Sequence, residues 1–399
     1  MPSAPVSPPP FVAPPRRLRP IIWLIGFFAF VNVYSIQAVI PLLMSDFNAT
    51  AAAAGATVGA TVLAVALLSP FVGMLSDAVG RKSVLIVSIL LLTLPTAAIY
   101  LADSIDAVVV LRFLQGLAIP GITVVLMAYI GEEFDGRDTA RMMSAYISGA
   151  VLGGFAGRMI TGHAGAWLGW RAAFVLLAAL NLVGCAAALW GLPASRRFRA
   201  NRHLGETLRV LGRHLCNRSL LAACAVGFCV LFSLIGCFTY VSVLLAAPPF
   251  ELTTAGLANV FCVYLLGVVV TPLGGRALHR FGYRAVLMAA MVTAIGGIAL
   301  TLIVSLAAVV VGLALCACGV FFAQAAAISF IAARVGEGRS LASGLYNMAY
   351  YGGGALGAGI CGAAYMAGGW MATVATLVGV QLCAIAIAGF GWRQKPSAP

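Results

Sequence analysis

The chain has 399 residues, of which 62% are hydrophobic and only 9% charged, with 45 glycines and 18 prolines besides. So little polar surface cannot clothe a water-soluble globule, which excludes a soluble enzyme. The net charge of +13 does not mark a nucleic-acid-binding or disordered chain either, because a mean hydropathy of +1.05 is incompatible with both.

The first fifteen residues hold seven prolines and meet Arg16, Arg17 and Arg19, which reads as a disordered polyproline-like tail over 1–19. The apolar run that follows is too long for a signal peptide and is taken as the first spanning helix. About 20 apolar residues cross a hydrocarbon core, and such runs recur at 20–44, 51–75, 84–101, 107–131, 140–162, 170–192, 219–246, 254–275, 285–304, 306–331, 341–366 and 370–391. The expected architecture is therefore an all-α membrane protein with twelve transmembrane helices. Ser305 alone separates the ninth from the tenth.

An even number of helices puts both termini on one side. Of 24 Lys and Arg, 21 fall in the two tails and the loops on that same side, so the positive-inside rule assigns it to the cytoplasm. The exceptions are Arg171 on the opposite face and Arg112 and Arg158 inside helices. Residues 193–218 form a long basic linker between a six-helix unit at 20–192 and another at 219–391, with a short tail at 392–399. Within the linker Leu204, Leu208, Leu211 and Leu215 recur at helical spacing among Arg202, Arg209 and Arg213, as in an amphipathic helix on a lipid surface. Nine of the ten cysteines lie in spans and Cys216 lies in the linker. No disulfide framework or zinc spacing results, and no metal is expected.

The two units repeat one plan. Tyr146, Gly153, Gly154, Gly157, Gly162, Gly169 and Trp170 recur 200 residues later as Tyr346, Gly353, Gly354, Gly357, Gly362, Gly369 and Trp370. At an offset of 202, Pro70, Gly73, Gly80, Val84 and Leu85 match Pro272, Gly275, Gly282, Val286 and Leu287. Six helices per copy give both copies one orientation, a pseudo-symmetric pair of bundles able to rock about a site between them.

Between helices 2 and 3 stands Gly73-Met-Leu-Ser-Asp77-Ala-Val-Gly80-Arg81-Lys82. This resembles the signature loop of the major facilitator superfamily, with Ala78 in place of a basic residue. Arg112-Phe-Leu-Gln115-Gly116 resembles a helix 4 element of proton-coupled members, and Gly149-x-x-x-Gly153-Gly154-x-x-Gly157-Arg158 is similar to the antiporter motif of helix 5, with Gly154 replacing its proline and Arg158 its last glycine. With Tyr129-Ile-Gly-Glu-Glu133-Phe and Ala342-Ser-Gly-Leu-Tyr346, the pattern resembles the bacterial drug-exporter-like, acriflavine-sensitivity subgroup of proton antiporters. The resemblance implies an inner-membrane location and a cytoplasmic gate in which Arg81 and Lys82 reach Glu132 and Glu133. His279 and Tyr283 stand where Asp77 and Arg81 do in the other half, so that half of the gate should be weaker. The helix 5 glycines also suit close helix packing.

All eleven acids lie near one face or the other, none clearly at mid-membrane depth. The charges inside the membrane are both positive, Arg112 and Arg158, and such charges are costly and usually functional. One reading has Arg158, with Arg112 nearby, receive an anionic or electron-rich substrate group in a cavity shared with Asn32, Gln37, Gln115, Asn347 and Tyr350. The other has Arg112 bond backbone carbonyls and Arg158 reach Asp46, Asp103 or Asp106.

The function expected is export of small organic compounds, neutral or anionic, by alternating access, powered by a proton gradient with no cofactor. The expected partners are a small-molecule substrate, protons and membrane lipid, with no nucleic acid and a monomer sufficient. An importer or uniporter of a sugar or organic acid is the alternative. A membrane-embedded enzyme is disfavoured because the four histidines lie in or near loops, away from any carboxylate cluster.

Overall fold

Helix starts and stops in the chain follow from local chemistry. Ala51–Val79 begins where the Thr50 hydroxyl accepts from Ala53 N at 3.2 Å. Ile105–Glu133 begins where Ser104 does the same for Ala107 N, and Arg218–Ala246 where the Asn217 side chain receives the amides of Ser219 and Leu220. Sharp reversals fall at Gly80, Gly169, Gly282 and Gly369, with φ of 109°, 83°, 78° and 62°, a region that costs glycine little. These are two repeat-related pairs, so the duplication read from sequence is also a duplication of backbone geometry.

The computed structural model describes residues 18–195, 212–335 and 339–392, which carry helices and no strand. Twelve crossings result, in two pseudo-symmetric six-helix bundles. In the first bundle, α1 is Leu18–Val31 continued through a 3-10 turn, Ser35–Val39, into Ile40–Asp46. α2 is Ala51–Val79, α3 Arg81–Ala98, α4 Ile105–Glu133, α5 Gly136–Leu168 and α6 Trp170–Gly191. In the second, α7 is Arg218–Ala246, and α8 runs from Thr254–Val260 through Phe261–Leu265 into Leu266–Leu300, which bends at Gly282 to become α9. α10 is Leu306–Arg334, and Arg339–Gly391 breaks at Gly368 and Gly369 into α11 and α12. Eight described helices are long and apolar enough to span alone, and bent α1 is a ninth. The break at Gly369 divides one of the eight, α8 is interrupted, and α5 is diluted by its glycines and Arg158.

One expectation is corrected. Helix 1 is not continuous over 20–44, because its two arms are bent by 41° around residues 32–34. The second arm opens at Ser35, whose hydroxyl donates to Asn32 O at 3.1 Å, a local bond that competes with the helix ladder; Pro41 follows only in the first turn of Ile40–Asp46. The carbonyls freed by the break find side-chain donors in neighbouring helices, as described below. The amphipathic linker helix expected over 204–215 lies largely outside the described residues, of which 212–215 are helical. The proline-rich tail and residues 393–399 lie outside them as well.

Within each bundle the glycine stripe permits backbone contact. A Cβ at Gly149, Gly153 or Gly157 would overlap the carbonyl oxygen of Trp23, Phe27 or Val31 on α1. Gly353 and Gly357 meet Phe228 and Phe232 on α7 in the same way, the close approach that small residues allow in a membrane. Gly154 is different: it faces Tyr34 and Arg158 in open contact.

We call the face carrying residues 18 and 392 the terminal face and its opposite the distal face. The bundles meet in their distal halves. Gly59 of α2 lies against Ala358 and Ala355 of α11, and Gly162 of α5 lies against Thr254 and Ala258 of α8. Hydrogen bonds Gln37 to Thr239 at 3.1 Å and His163 to Asn259 at 3.1 Å also cross the seam there. The distal side is closed in this conformation.

Candidate functional site

The break in α1 organises two buried arginines. Arg112, fully buried on α4, donates through Nη1 to Asn32 O at 2.8 Å and through Nη2 to Val33 O at 2.6 Å, the carbonyls left open by the break. Its Nε donates to Thr57 O at 3.3 Å, and Nη1 also reaches Gln115 Oε1 at 2.6 Å. Gln115 Nε2 donates to Thr96, and Asn32 Nδ2 donates to Asn181 Oδ1 at 2.7 Å. Irregular backbone at membrane depth is tolerated where neighbours satisfy it, and Arg112 does this for α1. The first bundle therefore absorbs Asn32, Arg112 and Gln115 into an internal network, instead of opening them to a cavity beside Arg158.

The equivalent network is missing from the second bundle. Aligning the residues before α4 and α10, Ser104 and Ser305, sets an offset of 201 that puts Leu313 and Cys316 where Arg112 and Gln115 stand. Consistently, α7 is one unbroken helix. The arginine and the broken helix occur together in one half and are absent together from the other.

Arg158 is 1% exposed and sits at the seam. Its Nε donates to Gln37 Oε1 at 2.9 Å and its Nη1 to Gly154 O at 2.7 Å. Nη2 has no partner. The guanidinium carbon lies 4.8 Å from the ring centre of Tyr34 on its own bundle, and 5.0 and 4.1 Å from those of Phe261 and Tyr264 on α8 of the other. Such contacts are worth about 2 kcal/mol when desolvated, but none neutralises the charge. The expected alternative partner Asp46 is engaged elsewhere, accepting from Trp170 Nε1 at 2.6 Å and from Arg171 Nη1 at 3.0 Å.

Gln37 links this arginine to α7 by donating Nε2 to Thr239, so one chain of contacts joins α5, α1 and α7. Tyr350 is buried on α11, its ring 5.8 Å from Tyr346 and 5.4 Å from Tyr351. Asn347, one turn nearer the terminal face, is half-buried. Sequence reasoning missed Tyr34, Phe261, Tyr264 and Thr239. The aromatic pair sits in the 3-10 turn Phe261–Leu265, and a rule that opposes α5 to α8 across the pseudo-symmetry axis would have found it.

At the terminal face Arg81 forms a two-point ion pair with Glu132, Nε to Oε2 at 3.1 Å and Nη2 to Oε1, and also donates to the Ser76 hydroxyl. These contacts brace α2, α3 and α4 within one bundle. Lys82 does not reach the helix 4 carboxylates; it donates to Leu189 O on α6 at 2.8 Å, and Glu133 accepts from Ser195 at 2.7 Å. The reason is directional: Arg81 and Lys82 are consecutive on the first turn of α3, so their side chains diverge by about 100°. The Asp77 side chain lies outside the described residues. In the second bundle Tyr283, equivalent to Arg81, packs edge-on against Phe330, which stacks on Trp392 at 4.3 Å and carries Arg334 at 5.3 Å. An aromatic stack stands there in place of the ion pair.

Comparisons place this geometry among known proteins. A family model described as Major Facilitator Superfamily matches residues 22–358. The inner membrane transport protein YnfM of Escherichia coli (strain K12) is 31% identical over 381 residues, covering 92% of this chain and 90% of that protein. The multidrug resistance protein MdtM of Salmonella typhimurium (strain LT2) is 29% identical over 170 residues, 43% of this chain and 41% of that one. Among solved structures, a bacterial homologue of the human lysosomal transporter Spinster, inward-facing and unoccupied, has a TM-score of 0.77 at 16% identity, covering 97% of this chain and all of that one.

Proposed function

The chain belongs to the major facilitator superfamily of membrane transporters, and from that premise we propose that it exports small organic compounds, anionic or neutral, across a bacterial inner membrane by proton antiport. Both termini and the Arg81 to Glu132 brace then face the cytoplasm, following the distribution of basic residues. A single chain suffices, with lipid around it and no cofactor.

The observation that carries the reading is Arg158. A buried, uncompensated charge with an idle donor, held at the seam between two bundles, is costly to keep unless something anionic visits it. Because its neighbours come from both bundles, rocking the bundles apart opens the site and closing them buries it. The partial match to a multidrug resistance protein and the helix 4 and helix 5 motifs support export and proton coupling. One proton moving down 100 mV supplies about 2.3 kcal/mol, enough for roughly a fiftyfold gradient of a neutral solute. Asp46, Glu132 and Glu133, at the two faces, are the carboxylates we assign as candidates for carrying the proton, together with Asp77 in the signature loop.

The test is proton release from respiring everted vesicles challenged with organic anions, neutral antibiotics, sugars and lipophilic cations. Substrate-dependent collapse of the pH gradient by anions, lost in Arg158→Gln, is expected. Collapse that is indifferent to Arg158→Gln for every substrate would remove the assignment.

A further inference from the structure

We propose that the Arg158 site takes an aromatic monocarboxylate, one carboxylate oxygen on Arg158 Nη2 and the other on the Tyr264 hydroxyl. This rests on the anion-binding reading above and narrows it to one chemistry.

Two unused donors meet there. Arg158 Nη2 and the Tyr264 hydroxyl are both buried and both without a partner, and they belong to one cluster, since the guanidinium carbon lies 4.1 Å from the Tyr264 ring centre. A buried polar atom with no partner in a native protein calls for an explanation, of which a missing ligand is one. A charged donor and a phenol donor in one buried cluster suit the two oxygens of a carboxylate.

Charge fixes the valence of the ligand. Arg158 supplies one positive charge, while Arg112 is committed to three backbone carbonyls and Gln115. A monoanion is neutralised; a dianion such as phosphate would carry an extra buried charge, which is strongly disfavoured.

The walls fix the body. Tyr34, Phe261 and Tyr264 surround the guanidinium. The amide and aliphatic hydroxyl beside the guanidinium that could serve a sugar acid are already engaged. Both ends of the Gln37 amide are bonded, to Arg158 and Thr239, and the Thr161 hydroxyl is bonded to Ser35 O at 2.5 Å. Substrate hydroxyls would find few partners, whereas a planar ring finds aromatic surface.

The guanidinium comes from the first bundle and the phenol from the second. A carboxylate held by both ties the bundles together at the site where Gln37 already bonds Thr239, so the occupied state is the one with the distal side closed.

The test is thermal unfolding of the purified full chain in nanodiscs, with benzoate, benzamide, cyclohexanecarboxylate, acetate and inorganic phosphate as probes. Benzoate is expected to raise the apparent Tm in a saturable way, benzamide and phosphate to leave it unchanged, and cyclohexanecarboxylate to need a higher concentration. Tyr264→Phe keeps the ring and is expected to weaken benzoate about tenfold, the loss of one hydrogen bond to a charged group. Arg158→Gln is expected to abolish the response, with gel-filtration profiles confirming that both variants are folded. Benzoate affinity unchanged in Tyr264→Phe overturns the two-point site, and equal affinity for cyclohexanecarboxylate overturns the aromatic preference. A response to acetate or phosphate alone, dependent on Arg158, overturns the substrate class and leaves the anion reading standing. No Arg158-dependent response to any anion overturns both.

Discussion

Replacing Arg112 by leucine, the residue already present at the equivalent position of the second bundle, separates a structural from a transport role. The wild-type guanidinium serves Asn32 O, Val33 O, Thr57 O and Gln115 Oε1, all within buried surroundings. Thr57 O keeps its helix partner and the Thr61 hydroxyl, and Asn32 O keeps the Ser35 hydroxyl, so Val33 O and Gln115 Oε1 are the acceptors left without a donor; at about 1–3 kcal/mol each, offset in part by no longer burying a charge, a net loss of about 2–3 kcal/mol is expected. At about 1 °C per kcal/mol for a chain of 399 residues this is an apparent Tm lower by roughly 3 °C, measured by thermal unfolding in nanodiscs. Arg158→Gln under the same conditions is expected to leave Tm unchanged or raise it, because its charge has no counter-ion in the fold and is retained at a cost in stability. An Arg112→Leu protein melting within about 1 °C of wild type would refute the reasoning. It would mean that the α1 break is satisfied without the arginine.

Other outcomes follow from the same geometry. Gly157→Ala, whose Cβ would overlap Val31 O, is expected to lose about 1–3 kcal/mol, while Gly154→Ala, with its nearest contacts at 3.7 and 3.8 Å, is expected to be near neutral; paired unfolding measurements decide. Glu132→Gln weakens the pair with the buried Arg81, and a loss of about 1–3 kcal/mol is expected, since it takes a counter-charge from a guanidinium only 7% exposed. Thr239→Val removes the Gln37 bond across the seam. A cysteine placed at the buried Ala258 between α5 and α8 is then expected to label about fivefold faster with an impermeant maleimide, as a loss of about 1 kcal/mol of closure predicts; an unchanged rate would place the closing energy elsewhere.

Much of the fold was legible because membrane spans need only length and apolarity, and because Gly80, Gly169, Gly282 and Gly369 mark the turns of both copies. What escaped was the break in α1: residues 32–34 carry no glycine or proline, and Pro41 lies well inside an apolar run that reads as one helix. The same blind spot misplaced Arg112. Sequence showed an intramembrane charge but not the backbone carbonyls it serves, which exist only once α1 has broken. Arg158 was legible as a buried charge, and its glycine-rich helix as a packing surface. Its aromatic neighbours were not, since Phe261 and Tyr264 come from the other half of the chain and sit in a 3-10 turn with no sequence signal of its own. The Arg81 to Glu132 pair was legible from the signature loop, whereas Lys82 turning toward Leu189 depends on where α6 ends.

The most direct test of the account is transport in proteoliposomes containing this chain alone. An organic monoanion and its neutral amide would be loaded inside, with a pH gradient imposed across the membrane. We expect wild-type protein to accelerate exit of the anion in proportion to the gradient, and Arg158→Gln to lose that acceleration at unchanged thermal stability. Equal anion flux through wild type and Arg158→Gln would contradict the account, leaving a transporter whose substrate is recognised somewhere other than the seam at Arg158.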